Sequence, residues 1–220
     1  MPWRFHVDAI GLMLLGGEAT GAAWADVLFG DVAPSGRLPI EIPATEADAI
    51  APATTAAVVY SEGLATSYRN RTRRAAFAFG HGLGYGAPLE LDMPVVERCA
   101  RAAPLACISL RVRNPRRNTS PSRCVVQLYI EFGAAARHPP GAFWLKGFAK
   151  TPSLAPAGEV LVTLELSERD LSYYDAATRA WVRAREVTVH VGRSSADLVH
   201  SLELRVPAPR AGSAAEQARK

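Results

Sequence analysis

The chain reads as an α/β segment, one incomplete layer of an α/β sandwich, followed by an all-β sandwich. Three observations lead there. An apolar run over residues 7–15 passes at once into a helical spacing, the order of a wound α/β layer. From Leu105 onward the texture changes to short runs that alternate apolar with polar residues, the mark of half-buried antiparallel strands. Turn chemistry separates those runs, at Asn114-Pro115, His138-Pro139-Pro140-Gly141, Ala155-Pro156-Ala157-Gly158 and residues 192–195.

Taken in order, residues 7–15 are short enough for a buried strand. Gly21, Trp24, Ala25 and Leu28 then fall at i, i+3, i+4 and i+7, which predicts a helix over 21–29 with one apolar stripe, stopped by Gly30 and Pro34. A turn at Pro34-Ser35-Gly36 leads to a short strand over 37–42, with Leu38, Ile40 and Ile42 on one side. Residues 44–55, made largely of alanine, threonine and proline, have no period and read as a surface loop. Residues 77–86 carry four glycines among aromatic rings, which suits a backbone that turns sharply while its rings cover an apolar surface. A domain junction is expected over 87–102. Beyond it, 125–132, 160–166, 187–191 and 198–206 alternate most clearly, and about seven such strands in roughly a hundred residues are what an immunoglobulin-like or fibronectin type III-like sandwich requires.

Composition excludes more than it assigns. The 220 residues carry 25 basic and 21 acidic side chains, net charge +4, with a pI near 9.2. Arginine outnumbers lysine 22 to 3 and alanine is abundant, the pattern of a GC-biased coding sequence rather than of selection for phosphate binding. The clusters Arg69, Arg71, Arg73, Arg74 and Arg111, Arg113, Arg116, Arg117 are not interleaved with aromatics on which bases could stack, so no nucleic-acid partner is expected. No run approaches the ~18 apolar residues of a membrane span, and the segment after Met1 lacks the basic start and apolar core of a secretion leader. Asn70 (NRT) and Asn118 (NTS) sit in glycosylation sequons, which leans towards a secreted parent while leaving localisation open.

Cys99, Cys107 and Cys124 cannot all be paired, and their spacing matches no zinc or redox pattern. Cys124 is in phase with Val126 and Leu128, whereas Cys107 alternates with Ile108, Leu110 and Val112, which argues against a bridge between Cys107 and Cys124. The five histidines are widely spread, so neither a metal site nor a cofactor is expected.

Seven strings in order carry a family resemblance: ADVLFGDVAPSGRLPIEIP over 25–43, YSEGLATSYR over 60–69, FAFGHGLGYG over 77–86, CVVQLYIEF over 124–132, FWLKGFAK over 143–150, LAPAGE over 154–159 and LSERDLSYYD over 166–175. WVRAREVTVHVGRSSADL over 181–198 fits the last two strands. Together they resemble the C-terminal region of glycoside hydrolase family 3, the β-glucosidase and β-xylosidase family. The resemblance implies that residues 1–86 are the C-terminal part of the family's α/β sandwich domain, that 87–207 form its fibronectin type III-like domain, and that 208–220 are a disordered tail. The chain departs from the family pattern at several positions. Glu18 and Ala19 stand where Gln-Glu is usual, Ala22 where a polar residue is frequent, Ser67 and Gly84 where glycine and serine are usual, and Asn114-Pro115-Arg116 where the turn is normally Asn, a small residue and Gly.

What the resemblance implies about activity is hydrolysis of terminal non-reducing β-D-glycosidic bonds in an intact parent. Retaining hydrolysis needs two carboxyl groups about 5–5.5 Å apart, one ionised and one protonated. In the family these sit in an SDW-type and a GEG-type string, and neither string occurs here. No catalytic residue is therefore assigned, the chain alone is expected to be inactive, and its expected partner is the missing N-terminal barrel domain. Glu62 is expected to hold a structural ion pair with an arginine such as Arg69. Asp26 reads as a packing or turn partner, and His81 as a hydrogen-bonding histidine. Phe77, Phe79 and Tyr85 read as a clasp between domains, with a sugar cleft as the competing role, and Trp144 and Phe148 as sandwich core. Two other readings remain: a stand-alone carbohydrate- or protein-binding module, or a fragment of a β-xylosidase or arabinosidase.

Overall fold

The computed structural model describes residues 1–206 apart from 52, 53, 55, 102 and 103. The expected tail at 208–220 lies outside the described residues. Among those described, no helix is long and apolar enough to cross a membrane.

The sandwich is built from two four-stranded antiparallel sheets. In the first, β3 (Glu90–Leu91) and β4 (Val95–Glu97) both pair with β5 (Ala106–Arg113), which pairs on its other side with β8 (Glu159–Leu166). The second runs β12 (Asp197–Arg205), β11 (Glu186–Ser194), β6 (Val125–Phe132), β7 (Phe143–Lys150). Pairing thus begins at Glu90, inside the stretch read as a junction, on strands too short to show alternation.

Alternation explains the core. Val162, Leu164 and Leu166 of β8 and Ile108, Leu110 and Val112 of β5 point inward, against Val187, Val189 and Val191 of β11 and Val126, Leu128 and Ile130 of β6. All are buried, and at about 25 cal/mol per Å2 such apolar burial is what holds the two sheets face to face. A hairpin of β9 (Ser172–Asp175) and β10 (Ala180–Arg183), not anticipated from the sequence, lies between β8 and β11 in the chain.

Trp144 packs against the core, as expected, but Phe148 is 67% exposed. Their even spacing would put both rings on one face of a regular strand. Leu128 pairs with Gly147 and Tyr129 with Leu145, so Lys146 is an extra residue on β7 and the resulting bulge reverses the side from which Phe148 emerges.

The first segment departs further from expectation. Residues 7–15 form no strand, because among the described residues no strand lies beside them to take their backbone hydrogen bonds, and Leu15 is fully exposed. The helix does form, as α1 (Thr20–Phe29), with Trp24 lying over Gly11. It ends at Gly30, whose left-handed backbone lets its N–H bond to the Val27 carbonyl. Of the expected strand over 37–42 only β1 (Ile42–Pro43) pairs, with β2 (Ala75–Phe77), although Leu38 exchanges backbone hydrogen bonds with Gly80 and His81. Within the expected loop, Thr45 and Asp48 cap a single helical turn over Glu46–Asp48.

The cysteines resolve as one pair. Cys99 is bridged to Cys107, their Cα atoms 5.3 Å apart, and Cys124 is free and buried. Spacing concealed this because the hairpin of β4 and β5 that brings them together was not visible.

Candidate functional site

The surface with most chemistry on it is the contact between residues 34–86 and the outer face of β6. A central strand whose inner residues fill a core normally presents polar residues to water on its other face. Here Gln127 and Tyr129, on that outer face, are buried as completely as the core. The α/β segment is what covers them.

Gln127 is the polar anchor. Its Nε2 donates to the carbonyl oxygens of Gly80 (3.1 Å) and Arg193 (2.7 Å), and its Oε1 accepts from the Tyr129 hydroxyl at 2.6 Å. Three of its four hydrogen-bonding positions are thereby used, as a buried amide requires. Glycine is needed at position 80 twice over: φ is +78°, and a β-carbon would overlap the Gln127 amide.

Tyr68 is the aromatic anchor. Its ring stacks on Phe79 with centroids 4.4 Å apart and meets Tyr129 edge-on at 5.8 Å, while its hydroxyl accepts the Leu145 N–H at 3.0 Å. Phe143 lies 5.1 Å from Tyr129 and closes the cluster. Phe79 therefore belongs to a clasp between the two parts. Tyr85 reaches the other way, its hydroxyl donating to the Val27 carbonyl and fastening the end of α1. Phe77 faces His81 at 5.6 Å.

Two clefts flank this contact. The tighter, about 180 Å3, is lined by Arg37, His81, Cys124, Arg193 and Asp197. Arg193 donates from Nε and Nη2 to Asp197 (2.7 and 3.2 Å) and from Nη1 to the Leu89 carbonyl. Burial pushes His81 below the ordinary imidazole value, Arg37 adds to this and Asp197 opposes it. Burial likewise holds the Cys124 thiol above its usual value, against the pull of Arg37 and Arg193, which favours the unreactive protonated form. His81, read from the sequence as a hydrogen-bonding histidine, accepts the Leu38 N–H at its carbonyl and donates its own N–H to the Ala78 carbonyl.

The wider cleft, about 540 Å3, is lined by Glu41, Asp48, Glu62, Tyr68, Arg73 and Phe79 among others. Glu62 pairs with Arg73 at 2.8 Å, with Oε1 outside hydrogen-bond alignment, so the contact is Coulombic. The expected partner Arg69 instead bonds to Thr66, because one turn of 3-10 helix over Ser67–Arg69 folds its side chain back. Asp48 accepts from the Thr45 hydroxyl and N–H, which holds its carboxyl below the usual range. Burial pushes Glu41 up, with Arg73 and Arg71 opposing. Asp26 acts through its backbone, its carbonyl accepting the Val32 N–H after α1.

Among the described residues, no group of three or more His, Cys, Asp or Glu side chains is placed to hold a metal ion. Sequence reasoning missed Gln127, Tyr68 and Arg73. The first was signalled by a polar residue inside the apolar run CVVQLYIEF, the others only by neighbours distant in the chain.

Comparison with known proteins finds two family models along the chain. Residues 1–85 match the glycosyl hydrolase family 3 C-terminal domain, and residues 124–195 match the fibronectin type III-like domain. Thermostable beta-glucosidase B of Acetivibrio thermocellus is 34% identical over 94% of this chain and 28% of its own length. A beta-glucosidase of Rhizobium radiobacter is 33% identical over 94% of this chain and 26% of its own. Among solved structures, beta-glucosidase 3B from Thermotoga neapolitana in complex with glucose superposes with a TM-score of 0.81 at 30% identity, covering 95% of this chain and 30% of that one. The Kluyveromyces marxianus beta-glucosidase in complex with glucose gives 0.81 at 32% identity, covering 94% and 25%. The chain thus spans between a quarter and a third of the length of these relatives. With two domain matches in the family's order and relatives aligned along nearly all of it, the chain belongs to glycoside hydrolase family 3, as a counterpart of that family's C-terminal region.

Proposed function

We propose that the chain is the carboxyl-terminal portion of a β-glucosidase-type enzyme that hydrolyses terminal non-reducing β-D-glycosidic bonds. On this reading it braces the catalytic domains and has no turnover of its own. The observation that carries the reading is the engagement of the carboxylates at the junction. Glu62 is matched by Arg73, Asp197 by Arg193 and Asp48 by Thr45. Burial raises the Glu41 carboxyl, and Glu62 in the same cleft is held by Arg73. A retaining hydrolase needs one ionised carboxylate placed to attack the anomeric carbon and one protonated carboxyl about 5–5.5 Å away to release the leaving group. The absence of SDW and GEG strings from the sequence supports the same conclusion.

The partner on this reading is an N-terminal barrel domain bearing those acids. It would rest on the apolar side chains that residues 1–64 leave exposed, among them Phe5, Leu15, Leu28 and Phe29. An assay of the purified chain on an aryl β-glucoside should give no release above background. Turnover at an ordinary enzymic rate, abolished by Glu62→Gln, would overturn both the inactivity and the structural role of Glu62.

A further inference from the structure

The two glycosylation motifs, which the proposed activity leaves unused, stand in opposite environments. We propose that Asn70 is an acceptor for an N-linked glycan in this protein and that Asn118, bearing the same motif, is not.

Asn70 follows the 3-10 turn over Ser67–Arg69 and starts a turn whose next two residues, Arg71 and Thr72, are exposed. Its Oδ1 accepts both the Thr72 N–H (3.1 Å) and the Thr72 hydroxyl (2.7 Å), while its Nδ2 donates to none of the described residues. The amide oxygen is thus occupied by the motif's own hydroxyl residue, and the amide nitrogen, the atom to be modified, is left without a partner.

In Asn118 the engagement is reversed. The side chain is 5% exposed, its Nδ2 donates to the Ala87 carbonyl (2.9 Å) and to Asn114 Oδ1 (2.7 Å), and its Oδ1 accepts the Ala87 N–H at 2.7 Å. A sugar on Nδ2 would replace one of these donors and would need room beside Gly86, where even a β-carbon would come within 2.7 Å of Asn118 Oδ1. Asn118 ties the turn after β5 to Ala87, where the chain enters the sandwich, and Asn114 ties the same turn to Leu154, so a glycan there is incompatible with the fold.

The chemistry is transfer from a lipid-pyrophosphate-linked oligosaccharide. Asn70 Nδ2 forms a bond to the anomeric carbon, the bond from that carbon to the pyrophosphate oxygen breaks, the lipid pyrophosphate leaves and Nδ2 loses one proton. Such transfer takes place on the chain during translocation, so the fold acts as a filter: chains modified at Asn70 can fold, and chains modified at Asn118 cannot. The Cys99–Cys107 bridge is an independent pointer, since disulfides persist in the oxidising compartments where this transfer occurs.

The test is expression of the full chain behind a secretion leader in a eukaryotic host, with intact mass and glycopeptide mapping of the secreted and retained pools. We expect secreted protein carrying one glycan, released by a peptide N-glycanase. It should be lost in Asn70→Gln and Thr72→Ala and kept in Thr72→Ser. Ser120→Ala removes the second motif without touching the Asn118 amide, and should leave the secreted mass unchanged. A secreted chain without releasable mass, a glycan that survives Thr72→Ala, or one mapped to Asn118 in folded protein would each overturn the proposal. None of these outcomes depends on whether the parent hydrolyses glucosides.

Discussion

Ser67 stands where the family string usually has glycine, and its backbone sits at φ +51°, in the left-handed region that a β-carbon disfavours. It is also the first residue of the turn that folds Arg69 onto Thr66 and presents Tyr68 to Phe79 and Tyr129. The strain is therefore located under the aromatic anchor of the whole junction. Restoring glycine removes a left-handed penalty of about 1–2 kcal/mol and returns part of it as greater freedom of the unfolded chain. Ser67→Gly is expected to stabilise the protein by up to about 1 kcal/mol, read as a higher denaturant midpoint with an unchanged slope. A lower midpoint would mean that the serine side chain contributes more than its backbone costs. Of this arrangement the sequence disclosed the departure from the pattern but not its cost. Backbone sign is a property of the fold around Tyr68, and nothing in the string TSYR alone requires it.

At the level of elements, legibility followed the number of residues that repeat a pattern. The runs 125–132 and 160–166 alternate over their whole length and appear as β6 and β8, with bounds agreeing to within a residue. β3 and β4 have two and three residues, and Val95 and Val96 are both exposed, so no period exists to be read. Residues 7–15 failed the other way. An apolar run predicts a strand only if a neighbouring strand completes its hydrogen bonding, which a sequence cannot certify. The Cys99–Cys107 bridge ties the end of β4, a strand with little buried surface of its own, to the well-buried β5. For a loop this short chain entropy contributes about 2.5 kcal/mol. Reduction, or the double replacement Cys99→Ser with Cys107→Ala, should lower the unfolding free energy by that order. Urea denaturation with and without reductant checks it. An effect near zero would show that β4 is held by its pairing with β5 alone.

The two parts of the molecule bury their surfaces unequally. Every residue of the central core cluster lies at Leu89 or beyond, whereas α1 has no buried residue and Trp3, Phe5, Leu14, Leu15, Leu28, Phe29, Val59 and Tyr60 are all exposed. Single exposed apolar side chains are ordinary, but this many within the first sixty residues exceed what a monomeric surface usually carries. At about 25 cal/mol per Å2, covering 400 Å2 of such surface gains roughly 10 kcal/mol, comparable to the 4–15 kcal/mol lost when two molecules associate. The surface is therefore poised between a solitary chain and a covered one. Concentration decides which when no other domain is present. The purified chain is expected to self-associate at micromolar concentration through this segment, seen as a rising weight-average mass in sedimentation or light scattering. Charged replacements on α1, Leu28→Lys with Phe29→Glu, should shift that rise to at least tenfold higher concentration. They should leave the sandwich's unfolding midpoint unchanged, since neither side chain touches its core. A chain that stays monomeric to hundreds of micromolar would show that these side chains cover one another well enough, and that no further surface is needed to hold the first segment.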